Sequence, residues 1–107
     1  MTDDIRALQA ALGDAEKLGN WPEADRIYKT LRGLIDLDAL QIAQHAKIIF
    51  NMGDDARAAT MTRRALRRAP GDVTITLQLA NIYSSQKQYE KAEEQFRNVL
   101  TIEPSSV

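Results

Sequence analysis

A chain of 107 residues, 44% apolar and 27% charged, holds enough material for one domain with one continuous core. Its formal net charge of −1 argues against a protein whose main business is binding polyanions such as nucleic acid. There is no cysteine, which excludes disulfides, thiolate metal sites and cysteine nucleophiles. Met1-Thr2-Asp3-Asp4 is acidic where a signal peptide would be basic, and no apolar run is long enough to span a bilayer. The expectation is a single domain over 1–107, cytoplasmic, with no membrane insertion.

Ile5, Leu8, Leu12, Ala15 and Leu18 recur at helical spacing and predict a first helix. Asn20-Trp21-Pro22-Glu23 reads as a capping box opening a second, with proline early, where a helix tolerates it. Ala24, Ile27, Tyr28, Leu31 and Ile35 continue that helix's apolar face, and Trp21 is expected to cover the hairpin turn. Asp38 is the predicted N-cap of a third helix carrying Ile42, Ala46 and Ile49. Gly53-Asp54-Asp55 breaks the chain before a fourth helix, which packs through Ala58, Thr62, Ala65 and Leu66.

That fourth helix ends in Thr62–Asp72, TRRALRRAPGD. At about 100° per residue, Arg57, Arg63, Arg64, Arg67 and Arg68 fall within an arc of about 140°, opposite the packing side. Acidic residues at its start and basic ones at its end suit the helix dipole. Pro70-Gly71 then stops it, and Asp72 caps a fifth helix with Leu79, Ala80 and Tyr83. Tyr89, Ala92, Phe96 and Leu100 mark a sixth. Tyr28, Tyr83, Tyr89 and Phe96 are expected as core side chains. No β-alternating run occurs, so the predicted class is all-α.

Pro70 and Pro104 lie 34 residues apart, and the chain aligns with itself at that shift. Three units result, about 5–38, 39–72 and 73–106. Ala24, Ala58 and Ala92 align, as do Ala46 and Ala80, the turn residues Gly19, Gly53 and Lys87, and the unit ends Asp36, Pro70 and Pro104. These residues resemble the tetratricopeptide repeat (TPR) family. The third unit fits best, through Leu79-Ala80, Tyr83, Ala92, Phe96 and Pro104, with Thr76 in the place of the pattern's tryptophan. The second puts His45 in a leucine place and Thr62 in an aromatic one. In the first, Leu12-Gly13 sits one residue late. The resemblance implies antiparallel helix pairs stacked as a right-handed superhelix, with a concave groove that binds peptides or proteins and performs no chemistry.

Within that family the groove is lined by one face of each unit's first helix. Carried onto this chain, the face comprises Arg6, Gln9, Gly13 and Lys17, then Leu40, Gln44, Lys47, Phe50 and Asn51, then Thr74, Gln78, Asn81 and Ser85. Amides can meet both donors and acceptors of an extended backbone, Lys47 and Arg6 can hold a carboxylate, and Phe50 offers apolar contact. A subgroup of the family clamps chaperone C-terminal carboxylates with Lys, Asn and Arg. The matching places here hold Gln9, Gly13, Gln44, Thr74 and Gln78, so that clamp is not expected.

Nothing in the sequence builds a catalytic site. His45 is the single histidine and occupies a normally apolar place, which reads as a packed core residue. Asp36/Asp38 and Asp54/Asp55 stand at helix starts without the spacing of a Ca²⁺ loop. No enzyme activity, metal or cofactor is expected. The chain runs out after its sixth helix with no separate capping helix, which leaves Phe96, Leu100 and Ile102 as an apolar face. A second copy, a partner or further residues of a longer protein are expected to cover it. The alternative function is binding of nucleic acid or another anionic partner through Arg57, Arg63, Arg64, Arg67 and Arg68.

Overall fold

The computed structural model describes residues 2–103, Thr2 by its backbone alone, and among them are six α-helices and no strand. The chain is thus all-α, as expected. Pro104, which ends the third sequence unit, lies outside the described residues. Two compact units are distinguished, residues 1–37 and 38–107.

The first unit is one helical hairpin, α1 (Thr2–Lys17) against α2 (Trp21–Leu34). Ala24, Ile27, Tyr28 and Leu31 of α2 are buried, and so is Ala15 of α1. Leu18, expected on the packing face of α1, is 83% exposed because the helix has already ended at Lys17. The predicted capping box is only half formed. The Asn20 side chain accepts from the Glu23 N–H at 3.4 Å, but the Glu23 carboxylate turns to Arg26, whose Nε donates to it at 2.9 Å. That hydrogen bond holds the Glu23 carboxyl below the usual carboxylate range. Trp21 does cover the turn. A methyl group built on Gly19 would sit 3.8 Å from its ring.

The second unit holds two more hairpins, α3 (Ala39–Asn51) with α4 (Asp55–Arg68), and α5 (Val73–Ser85) with α6 (Tyr89–Ile102). Asp38, Asp54 and Asp72 cap α3, α4 and α5 with their side chains, and Asp38 with Gln41 forms the full reciprocal box. Helix α6 has Gln88 at its N-cap and no side-chain cap. One core joins both hairpins, with Ile49, Ala58, Met61, Leu79, Ile82, Tyr83 and Ala92 among its members. Each large aliphatic side chain buried there contributes about 1.5–3 kcal/mol.

The repeat is visible in the backbone of the turns. Gly19, Gly53 and Lys87 all adopt the left-handed conformation, with φ of 67°, 89° and 61°. After each, the next N–H reaches back to a carbonyl five residues earlier, Asn20 to Ala15 at 2.8 Å, Asp54 to Ile49 at 3.2 Å and Gln88 to Tyr83 at 2.9 Å. This is the Schellman closure of a helix end, and it explains two of the three residues at once, since glycine takes that φ without a Cβ clash. Lys87 takes it at a cost of about 1–2 kcal/mol.

Two expectations about aromatics need correction. Tyr28 and Tyr83 are buried, but Tyr89 is 65% exposed and Phe96 41%. Helix α6 packs against α5 alone among the described elements, so only its Ala92 and Val99 side is covered.

Candidate functional site

Helices α3 and α5 are the first members of their hairpins, and they touch each other. Between them lies an open hollow of about 310 Å³ lined by Lys47, Phe50, Thr74, Leu77, Gln78 and Asn81. Lys47 and Phe50 are three apart on α3. Thr74, Leu77, Gln78 and Asn81 follow the i, i+3, i+4, i+7 spacing of one helix face on α5. The sequence therefore brings five of its predicted groove residues, Lys47, Phe50, Thr74, Gln78 and Asn81, to one place.

They differ in role. Phe50 is half-buried and packs against the core, so it forms the floor. Lys47 and Asn81 are exposed. Gln78 is a strut: its Nε2 donates to the Ala43 carbonyl at 2.8 Å and to the Thr62 hydroxyl at 3.2 Å, and Thr62 donates in turn to the Ala58 carbonyl at 2.8 Å. One amide thus ties α5 to both helices of the preceding hairpin, and its two N–H donors are engaged inside the fold. Leu77, 37% exposed, also lines the hollow and was missed by sequence reasoning. An apolar residue in an amphipathic helix reads as core, although its position between Thr74 and Asn81 on one stripe was available as a signal.

Gln44 and Asn51 are exposed on α3 but do not line the hollow. Arg6 and Gln9 are exposed on α1 of the first unit. The arginines of α4 are not one uniform exposed set. Arg63, Arg67 and Arg68 are exposed, whereas Arg57 and Arg64 are half-buried. Arg63 donates to the Tyr83 hydroxyl at 3.2 Å and to the Thr60 hydroxyl at 3.2 Å, so its guanidinium is held by the fold.

On α6, Phe96 and Leu100 are 41% and 43% exposed on one stripe, four residues apart. Ile102, 37% exposed, lies on a different flank and lines a separate hollow with Leu66, Arg67, Pro70, Thr76 and Asn98. The three do not make a single face. His45 is 1% exposed within the packing face of α3. Among the described residues no buried side-chain nitrogen or oxygen lacks a hydrogen-bond partner, and no group of three or more His, Asp or Glu is arranged to hold a metal ion. No helix among them is long and apolar enough to cross a membrane.

The family model described as Tetratricopeptide repeat matches residues 50–106, more than half of the chain. No match was found among curated protein sequences. Several solved structures share the fold at low identity. PcrH from Pseudomonas aeruginosa superposes with a TM-score of 0.84 at 16% identity, covering 99% of this chain and 80% of that one. PcrH in complex with the chaperone-binding region of PopB gives 0.82 at 17% identity, over 95% and 82% of the two chains. The first TPR of Spaghetti (RPAP3) bound to the HSP90 peptide SRMEEVD gives 0.83 at 16% identity, over 99% and 84%.

Proposed function

The chain belongs to the tetratricopeptide repeat family, and on that premise we propose that it is a non-catalytic protein-interaction module. Its ligand is an extended peptide or protein segment, held in the hollow between α3 and α5. The observation that carries this reading is the lining itself. Two apolar side chains, Phe50 and Leu77, stand beside the amide of Asn81, the hydroxyl of Thr74 and the ammonium of Lys47. Such a mixture suits an extended segment, whose backbone needs donors and acceptors and whose alternate side chains need apolar contact. Two proteins of the same fold are known with bound segments, PcrH with a region of PopB and Spaghetti with an HSP90 peptide. Gln78 stands where the chaperone-tail clamp has a cation, and its amide is engaged internally, so a chaperone tail is not the ligand favoured here.

The test is affinity capture with the wild type, a Lys47→Ala/Leu77→Ser/Asn81→Ala variant and an Arg63→Ala/Arg67→Ala/Arg68→Ala variant. Partners lost with the first variant and retained with the second support the hollow. Partners lost only with the second, with binding that falls steeply as salt rises, would replace this reading with the anionic-partner one. A companion proposal is self-association through α6, supported by the exposure of Phe96 and Leu100. Sedimentation equilibrium checks it, and a molecular mass that stays monomeric up to high micromolar concentration counts against it.

A further inference from the structure

We infer that the α3–α5 hollow selects segments with a carboxylate side chain two residues from an aliphatic or aromatic one. This rests on the proposal that the hollow is the binding site, and goes on to name what it reads. Lys47 is the one ionisable residue in the lining, and no acidic side chain stands beside it there. It has no ion-pair partner among the described residues, so its ammonium is available to a ligand. Gln78 does not compete for an anion, because both of its N–H donors are engaged with Ala43 and Thr62. The charge preference of the hollow therefore comes from a single cation.

The apolar half is equally local. Phe50 from α3 and Leu77 from α5 both line the hollow, and Phe50 packs against the core. A volume of about 310 Å³ is at the small end of the range for ligand sites, about 300–1,000 Å³, which fits one anchoring side chain and a short stretch of backbone. Lys47 and Phe50 are separated along α3 by about 4.5 Å of helix rise. In an extended ligand, side chains on the same face are two residues apart, about 6.6 Å, a gap the long lysine stem spans easily. An immediate neighbour would point away from the hollow. The recognised pattern is thus acidic–any–apolar, with Thr74 and Asn81 meeting the backbone on either side of Leu77.

The experiment is selection from a displayed library of random heptapeptides against the wild type, Lys47→Glu and Leu77→Ser. Both substituted positions are solvent-accessible, and circular dichroism with a thermal melt verifies that the variants fold. The wild type is expected to enrich Asp or Glu two positions from Leu, Ile, Met or Phe. Lys47→Glu is expected to exchange the acidic preference for Lys or Arg, and Leu77→Ser to lose the apolar one. Individual selected peptides should bind Lys47→Met about two- to fivefold more weakly than wild type, the size of one part-exposed ion pair. Peptides lost on Leu77→Ser but indifferent to charge would overturn the inference and leave the hollow standing as the site. Peptides insensitive to both substitutions, or no enrichment at all, would overturn the inference and the binding site together.

Discussion

Helices α4 and α6 stand at equivalent places in successive 34-residue units, yet they end in opposite circumstances. At aligned positions Thr62 is 0% exposed and Phe96 is 41% exposed, so a hydroxyl is dry where an aromatic ring is wet. Leu66 is half-buried and its counterpart Leu100 is exposed. In contrast, Ala58 and Ala92 are buried in both helices, as are Ala65 and Val99. The positions that agree face the helix's own hairpin partner. Those that differ face the next element, which for α4 is α5, bonded through Gln78 to Thr62. Burial of a repeat's outer side is decided by its neighbour, not by its own hydrophobicity.

The largest expected effect tests the shared core. Ile49→Ala empties a fully buried site and should cost about 2–5 kcal/mol in urea unfolding. The next tests what makes α4 different. Gln78→Leu leaves the Ala43 carbonyl and the Thr62 hydroxyl without their amide partner and should cost about 1–2 kcal/mol, by the same measurement. If that change is neutral, the strut does not distinguish the two helices.

The turn before α6 can be made to resemble the one before α4. Lys87→Gly removes a left-handed lysine and should stabilise by about 1 kcal/mol. Gln88→Asp supplies the N-cap that α4 has in Asp54 and should add about as much, read as a rise in Tm. The smallest effect is expected on the exposed stripe. Phe96→Ser or Leu100→Ser should change stability by less than about 0.5 kcal/mol in dilute solution. A larger, concentration-dependent loss would mean that a second copy covers α6 and that the contrast with α4 vanishes in solution.

The helices were legible because their apolar periods and punctuation agree. Asp38, Asp54 and Asp72 mark starts, and the aligned Gly19, Gly53 and Lys87 mark stops, through the same closure each time. What misled was anything that depended on a neighbour. Phe96 and Tyr89 carry a core pattern, but among the described elements none packs over them. Glu23 had two partners within reach, the Asn20 N–H and the Arg26 guanidinium, and the second won. In the site, Lys47, Phe50, Gln78 and Asn81 follow from placing one face on each first helix. That Gln78 is a strut and Leu77 a wall does not follow, because spacing assigns a residue to a face without saying which atoms its neighbours leave free.

The central claim, that a segment binds between α3 and α5, is tested most directly by amide chemical-shift mapping with one selected heptapeptide. Shifts concentrated at Lys47, Phe50, Leu77 and Asn81, and abolished by Leu77→Ser, are predicted. Shifts confined to Arg64, Arg67 and Arg68 on α4, or to Phe96 and Leu100 on α6, would contradict it.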